Sequence, residues 1–254
     1  NNIPSSATYG GSFTAMYMVL GDGTPSVVSE TPTVCSTSGD LVSYAAAGLC
    51  KLHATVTQGT NHLAATGATQ SFTIDKKSVT VTPDSGQSKV YGETDPTLTF
   101  QNSPALVGSD SFTGALARAA GKNVGQYTIN LGTLSAGSNY VLSLSATPVN
   151  FSITARDLTV QAHGVNKVYD GTAAASVTLS DNALNGDTVV DHYTSASFGD
   201  KNVGTSKPVA VTGISITGGD AGNYNLLNST DGTSADITAR DLTVQAHGVN
   251  KVYD

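Results

Sequence analysis

The sequence predicts an all-β chain, built as a tandem array of small β modules, and three features lead to that prediction. The letters ITARDLTVQAHGVNKVYD occur twice, at residues 153–170 and at residues 237–254. Apolar residues alternate with Ser, Thr, Gln or Asn, and a period of two is typical of half-buried strands. Gly, Asn and Asp separate these runs, and they favour turns. The composition is poor in strong helix formers, so only residues 115–120 are expected to form a short helical turn.

The repeat has a period of about 80 residues and divides the chain into modules. A tyrosine followed by turn residues opens each module, at Tyr9, Tyr91, Tyr169 and Tyr253. Two modules share Lys-Asn-Val-Gly and a later Asn-Tyr pair, at residues 122–125 with 139–140 and at 201–204 with 223–224. We predict three modules and the first strand of a fourth, over residues 1–75, 76–155, 156–238 and 239–254. Because the tyrosines recur in register, we expect them to pack in the interior or between strands rather than bind a ligand.

The connections between modules are short and contain neither Gly nor Pro. They comprise residues 75–78, 154–157 and 238–241. A linker of this length and composition is not a flexible coil. We therefore expect neighbouring modules to keep a nearly fixed head-to-tail relation and the chain to form a fairly stiff, extended rod. Arg156 and Arg240 occupy the same position in two of these connections and are candidate junction residues.

Charge and hydropathy exclude two classes of partner. The chain has 12 Lys+Arg against 19 Asp+Glu, a formal net charge of −7. Nucleic-acid binding requires a basic surface, so no nucleic-acid partner is predicted. No apolar run reaches the length of about 18 residues that a membrane-spanning helix requires, so no membrane insertion is predicted. The sequence starts and stops within the repeat pattern, and we expect it to be part of a longer protein.

The repeat motifs resemble those of bacterial families. Residues 76–155, which contain KVYGETDPTLTF and GKNVGQYTI, resemble the MBG family, named for a mostly β-grasp fold. Residues 156–238 resemble the YDG family, whose name matches Tyr169-Asp170-Gly171, and residues 5–74 resemble a bacterial Ig-like repeat. These resemblances imply an Ig-like sandwich followed by two β-grasp-like modules. They also imply an extracellular or cell-surface segment of a large adhesin or filamentous-haemagglutinin-like exoprotein, in which such modules act as spacers without catalytic residues.

Cys35 and Cys50 are the only cysteines in the sequence. An exported chain meets an oxidising environment, in which an even pair of cysteines favours a disulfide. The turn-rich residues 36–48 between them would let two strands meet. Two buried free thiols are the alternative. A zinc site is not predicted, because it needs about four ligands and neither Cys-x-x-Cys nor a matching His pair is present.

No catalytic, cofactor-binding or metal-binding residue is predicted, and the chain is not expected to be an enzyme. The hydrolase motifs Gly-x-Ser-x-Gly and His-Glu-x-x-His are absent. His163 and His247 are one repeat position seen twice, on the polar side of a strand, which favours surface histidines. Asp187, Asp191 and His192 form a candidate metal group, but adjacent strand residues point to opposite faces. A solvated turn is favoured there, and calcium bound at such loops is the alternative.

Residues 239–254 supply the first strand of a module without the rest of it. Leu242, Val244 and Ala246 would form an apolar face beside an unpaired strand edge, which is a template for another chain. The favoured interpretation is a simple boundary after the third module. The alternative is strand donation, in which this segment completes a neighbouring chain.

The predicted function is that of a structural stalk or spacer in a bacterial surface or secreted adhesin, which presents a distal adhesive region and bears load. Its partners are then the neighbouring modules of the same chain, with other copies of itself as an alternative. Two other functions stay open. One is a segment of a self-assembling extracellular filament or biofilm matrix, linked through residues 239–254. The other is a glycan- or protein-binding adhesin module.

Overall fold

The computed structural model describes residues 2–254 and confirms the predicted all-β chain. In chain order, the first twelve strands are β1 (Ser12–Thr14), β2 (Pro25–Ser29), β3 (Cys35–Ser38), β4 (Leu41–Tyr44), β5 (Gly48–Val56), β6 (Ala65–Thr66), β7 (Gln70–Ile74), β8 (Lys77–Pro83), β9 (Ser88–Val90), β10 (Phe100–Ser103), β11 (Ala117–Arg118) and β12 (Gly125–Asn130). The next twelve are β13 (Tyr140–Leu144), β14 (Asn150–Thr154), β15 (Arg156–Leu158), β16 (Val160–Val165), β17 (Lys167–Val168), β18 (Ser176–Asp181), β19 (Val190–His192), β20 (Ser195–Phe198), β21 (Gly204–Thr212), β22 (Ser215–Thr217), β23 (Tyr224–Leu226) and β24 (Thr230–Thr238).

Helical structure occurs in a different place from the one the sequence suggested. Within residues 2–254 it is limited to one 3-10 turn, Ala221–Asn223. The expected helical turn at residues 115–120 is wrong, because that segment contains β11. Ala117 and Arg118 pair there with Asn130 and Ile129 of β12, and tertiary pairing outweighs the weak helix propensity of a short alanine-rich run.

The chain forms two compact units. Unit 1 contains the described residues up to Gln87 together with Pro96–Ala120 and Gln126–Phe151. Unit 2 contains Ser88–Asp95, Gly121–Gly125 and Ser152–Asp254.

In unit 1, the N-terminal strands form two small sheets around one core. One sheet has the order β1-β4-β3, and the other has the order β2-β5-β6, with β7 also paired to β5. The alternation along β5 turns Cys50 and Leu52 inward and leaves Lys51 exposed. Their side chains pack with Val42 and Ile74, which are also buried, so the period of two sets which face becomes the core.

Three of the remaining strands of unit 1 form a second packing region around β8. This strand pairs antiparallel with β10 and parallel with β13, and its Val79 and Val81 are fully buried. In the parallel pair, Lys77 lies opposite Tyr140. The opening strand of this module is therefore held beside its Asn-Tyr pair.

Unit 2 is organised around a four-stranded sheet of order β17-β24-β21-β20. The antiparallel pairs β16–β18 and β19–β22 and the parallel pair β15–β23 surround it. Arg156 lies opposite Tyr224 in the β15–β23 pair, so this module repeats the Lys77–Tyr140 arrangement of unit 1. The β9 strand pairs in parallel with residues 152–154.

Residues 239–254 lie in no strand, and every one of them is exposed. Leu242 and Val244 are 92% and 91% exposed, whereas Leu158 and Val160, their counterparts in the repeat, are fully buried. Identical sequences therefore have different environments. The first copy pairs with β23 and β18, whereas the second copy pairs with no strand among the described residues.

This difference gives a matched pair of glycine substitutions. A Cβ on Gly164 of β16 would collide with the backbone carbonyl of Ser234, whereas a Cβ on Gly248, its repeat counterpart, would meet nothing within 4 Å. We expect Gly164→Ala to lower the unfolding free energy of unit 2 by about 1–3 kcal/mol, because the strand must move away from β24. Gly248→Ala should change it by less than about 0.5 kcal/mol. Denaturant titration of the two variants checks this, and equal effects would contradict it.

Candidate functional site

Each module-opening tyrosine is attached by its backbone to the point where its own module ends. The amide N–H of Tyr9 donates to the carbonyl of Asp75 (2.9 Å) and that of Tyr91 to the carbonyl of Thr154 (2.9 Å). The amide of Tyr169 donates in the same way to Thr238 (2.8 Å). The three acceptors directly follow the isoleucine that ends each module's last buried run. The tyrosines are therefore placed at the connections to the next module.

In two of these places, the opening tyrosine stacks on the tyrosine of the next module's Asn-Tyr pair. The ring centroids of Tyr9 and Tyr140 lie 5.4 Å apart at 85°, within unit 1. Those of Tyr91 and Tyr224 lie 5.6 Å apart at 74°, within unit 2. Such edge-to-face pairs contribute about 0.5–1.5 kcal/mol beyond their buried area. The tyrosines that recur in register thus hold successive modules together.

A short turn of the next module completes the contact. Asp110 accepts hydrogen bonds from the hydroxyls of Tyr9 (2.8 Å) and Tyr140 (2.6 Å), and Asp187 accepts one from Tyr224 (2.6 Å). Each aspartate closes its turn by donating its N–H to the carbonyl three residues earlier, that of Val107 or Leu184.

The hydroxyls of Tyr140 and Tyr224, the closing tyrosines of the Asn-Tyr pairs, are also fixed by the same turns. The amide of Val107 donates to the Tyr140 hydroxyl (2.7 Å), and the amide of Leu184 donates to the Tyr224 hydroxyl (2.8 Å). Each hydroxyl therefore donates to an aspartate and accepts from a backbone amide. Both buried phenols are satisfied, which avoids the desolvation cost of an unpaired polar group.

These contacts shift the ionisation of the tyrosines. Burial, then the hydrogen bond to Asp110, raises the pKa of Tyr140 to about 12. Burial, then Asp187, raises the pKa of Tyr91 to about 12. Because the folded pKa lies above the ordinary value of 10.0, the stabilisation is complete below about pH 10 and is lost as the pH rises through 12. The junctions are thus insensitive to ionisation of their tyrosines at neutral pH.

An asparagine adds a third contact at each junction. The Oδ1 of Asn139 accepts the amide of Ala47 (3.0 Å), and the Oδ1 of Asn223 accepts the amide of Val124 (2.9 Å). Asn223 is the buried polar side chain of the described residues, only 4% exposed. Ala47 and Val124 both precede a glycine at the start of a strand, so the same position of each preceding module supplies the donor.

A glycine after the opening tyrosine allows the close approach. Gly10 and Gly92 both have φ of +83°, a conformation that favours glycine. A Cβ on Gly10 would collide with Val107, and one on Gly92 would collide with Leu184. We call the tyrosine, the glycine and the amide donor of one module the socket: Tyr9, Gly10 and Ala47, or Tyr91, Gly92 and Val124. We call the four contacting residues of the next module the docking face: Val107, Asp110, Asn139 and Tyr140, or Leu184, Asp187, Asn223 and Tyr224.

A lysine two residues before the tyrosine shapes the opening loops of unit 2. Lys167 Nζ donates to Asp170 Oδ1 (2.9 Å) and to the carbonyls of Thr172 (2.9 Å) and Ala174 (2.7 Å). The Lys167 hydrogen bond, together with the backbone amide of Thr172, lowers the pKa of Asp170 to about 2. Lys89 Nζ pairs in the same way with Asp95 (2.6 Å). The Tyr-Asp-Gly motif therefore folds its loop around the half-buried ammonium group of Lys167.

The residues singled out from the sequence have the following positions. Cys35 and Cys50 are buried and form a disulfide, with Cα atoms 5.6 Å apart. Arg156 begins β15 opposite Tyr224. The other junction and strand-donation candidates are exposed: Arg240, Leu242, Val244 and Ala246.

The candidate metal group is not brought together as a site. Asp187 is bound to the Tyr224 hydroxyl, and His192 Nε2 contacts Thr217 Oγ1 at 2.8 Å. Among residues 2–254, no three His, Cys, Asp or Glu side chains are placed to share a metal ion. The interpretation of Asp187 as a solvated turn residue is incomplete, because its carboxylate is half-buried in the junction.

Asp191 gives a pH-dependent prediction. Its Oδ1 is buried and has no hydrogen-bond partner among the described residues, and burial, then the charge of Asp181, raises its pKa to about 6. Because the folded pKa exceeds the ordinary value of 3.8, this carboxyl favours folding below about pH 4, and the benefit is lost as the pH rises through 6. We expect Asp191→Asn to raise stability at pH 7 by on the order of 1 kcal/mol, discounted for solvent screening. Urea titrations at pH 4 and pH 7 check this. Asp241→Asn, at an exposed position, is the control and should leave the pH dependence unchanged.

Comparison with known families identifies the two modules that carry the docking faces. A model of the MBG domain (YGX type) matches residues 79–149, and a model of the YDG domain matches residues 154–234. The chain carries an MBG domain and a YDG domain in tandem. This domain content indicates an adhesin-like or repeat-containing protein. The Ig-like repeat at the N-terminus stays a prediction.

Other comparisons add little. No curated protein matches the chain. Among solved structures, the crystal structure of Drosophila N-cadherin EC1-4 is similar at a TM-score of 0.25 and 8% identity, over 93% of this chain and 72% of that chain. A similarity of this size carries no argument about fold or function. Within the described residues, no helix is long and apolar enough to span a membrane.

Proposed function

We propose that the MBG and YDG domains form a structural spacer in an extracellular adhesin, which holds a distal adhesive region away from its anchor and bears load. The observation that carries this proposal is the repeated junction. The same socket and the same docking face occur at Tyr9–Tyr140 and at Tyr91–Tyr224. Repetition of one contact between successive modules is what a protein needs if its function depends on keeping those modules in a fixed arrangement. The proposal assigns no catalytic step to any residue.

The arrangement of the YDG domain suits a tensile role. Force applied along the chain loads its first strand, β15, and its last strand, β24. The β15 strand is held by β23, and β24 is held between β17 and β21. The carbonyl of Thr238, at the exit, is also bound to the Tyr169 amide. Pulling on either end therefore strains several backbone hydrogen bonds together.

The disulfide supports an extracellular location. Cys35 and Cys50 are both fully buried in the N-terminal core, where the bond is protected from solvent. Stable disulfides form and persist in secreted and cell-surface proteins and are rare in the cytosol. The resemblance of the modules to adhesin repeats points to the same compartment.

Small-angle X-ray scattering of the non-reduced chain over a concentration series tests the spacer. A compact protein of this length has a radius of gyration of about 18 Å, whereas three modules in line would give roughly 27–35 Å. We expect a value in the upper range that does not change with concentration. A value near 18 Å would contradict the spacer. A scattering mass that grows with concentration would instead favour the filament, with residues 239–254 as the donated strand.

A further inference from the structure

The YDG domain presents a third socket that no docking face covers within residues 2–254. Tyr169 is anchored to Thr238 as Tyr91 is anchored to Thr154. Tyr169 is half-buried, whereas Tyr91 is 4% exposed. Among the described residues, the hydroxyl of Tyr169 has no hydrogen-bond partner and its ring has no aromatic neighbour. The covered tyrosine, Tyr91, thus has contacts from the next module that the uncovered tyrosine, Tyr169, lacks among the described residues.

The other two parts of this socket are also present. Gly171 has φ of +83°, as Gly10 and Gly92 have, but a Cβ there would meet nothing within 4 Å. Asp170, which separates this glycine from the tyrosine, is held by Lys167. Val203 occupies the Lys-Asn-Val-Gly position of Val124 and is 55% exposed. Within residues 2–254 no acceptor binds its amide.

The chain also sets where a following module would begin. Two residues after Thr154, Arg156 enters β15 and pairs with Tyr224, which brings the docking face to Tyr91. Two residues after Thr238 stands Arg240, in a segment identical to the start of the YDG domain. A module starting there would place its own copy of Tyr224 beside Tyr169.

We propose that the surface formed by Tyr169, Gly171 and Val203 is the docking site for a second YDG domain, which follows residue 238 on the same chain. The occupant binds through its counterparts of Leu184, Asp187, Asn223 and Tyr224. The isobutyl group of its leucine fills the space above Gly171, and its asparagine accepts the Val203 amide. Leu242 and Val244 become core residues of the occupant, as Leu158 and Val160 are in the first copy. This inference rests on the proposed spacer role and names the neighbour that continues it.

The test extends the full chain with a second copy of residues 171–238 after Asp254, which completes the repeated domain in register. Amide exchange measured by NMR reports the Val203 N–H in the original and extended chains. We expect exchange at Val203 to slow by at least about tenfold, the effect of one hydrogen bond in the upper part of the usual range. The Val124 amide, already bound to Asn223, is the internal reference and should not change.

Two variants of the added copy separate docking from a general effect of extension. Alanine at its counterpart of Asn223 should return Val203 to fast exchange. Alanine at its counterpart of Asn225, an exposed β23 residue two positions later, should not. An added copy whose own core amides are protected while Val203 stays fast would overturn the proposal, and so would an added copy that fails to fold. Neither outcome decides the spacer role, which depends on the scattering result for the original chain.

Discussion

Replacing Tyr91 with alanine should lower the unfolding free energy of unit 2 by about 3–5 kcal/mol, the usual cost of truncating a buried aromatic side chain. The ring is 4% exposed and stacks on Tyr224 at 5.6 Å. Its loss leaves a cavity between the MBG opening loop and the YDG docking face, and the cost of that cavity adds to the lost burial of the ring. Denaturant titration, with residue-resolved amide exchange at Leu158 and Val160, measures the loss where it is expected.

Tyr169→Ala is the matched control, because Tyr169 occupies the same motif without a covering module. Its effect should be roughly 1 kcal/mol, in the range of an ordinary half-buried substitution. A double-mutant cycle between Tyr91→Ala and Tyr224→Ala should return a coupling of about 0.5–1.5 kcal/mol, the contribution of an aromatic pair. Equal losses for Tyr91→Ala and Tyr169→Ala would show that the ring matters within its own loop and that the junction adds nothing.

The spacing of the tyrosines shows what the sequence can reveal about this site. Tyr9 and Tyr91 on one side, and Tyr140 and Tyr224 on the other, recur in register, and that pattern correctly indicated packing. The same expectation is wrong for Tyr253, which is 98% exposed. The pattern also does not indicate which ring meets which, because both sets have the same period. Only the structure shows that the contact joins successive modules. A parallel strand pair places Tyr140 or Tyr224 beside the opening tyrosine of the preceding module.

The aspartates of the docking face were missed for a physical reason. Asp187 follows Asn185-Gly186, and aspartate beside such residues normally serves the turn itself. It does so here through its amide, while its carboxylate binds the Tyr224 hydroxyl. One signal was available: an apolar residue, a glycine and then an aspartate three places after the apolar residue occur in both modules, from Val107 to Asp110 and from Leu184 to Asp187. The fold class needed no such comparison, because alternation along β5, β8 and β21 already fixes the buried face.

Loss of the disulfide should produce the other large effect, confined to unit 1. In the chain-entropy model, a bond that closes a loop of about 15 residues stabilises by roughly 3 kcal/mol. Both sulfurs lie in the core with Val42 and Leu52, so substitution also removes packing. We expect Cys35→Ala/Cys50→Ala to lose somewhat more than 3 kcal/mol, and the wild-type chain under reductant to lose about 3 kcal/mol. Denaturant titration gives both values, and amide exchange at Ile237 of unit 2 should stay unchanged as the internal reference.

The two treatments separate the covalent constraint from the packing, and this bears on where the protein works. Reduction keeps both sulfur atoms in the core and removes only the bond, so its cost is the part that depends on compartment. If that part is about 3 kcal/mol, it is a large fraction of the 5–15 kcal/mol that usually stabilises a domain. The N-terminal module would then depend on an oxidising environment for much of its stability, as a secreted domain does. If reduction costs less than about 1 kcal/mol, the core holds without the bond, and the disulfide no longer argues for an extracellular protein.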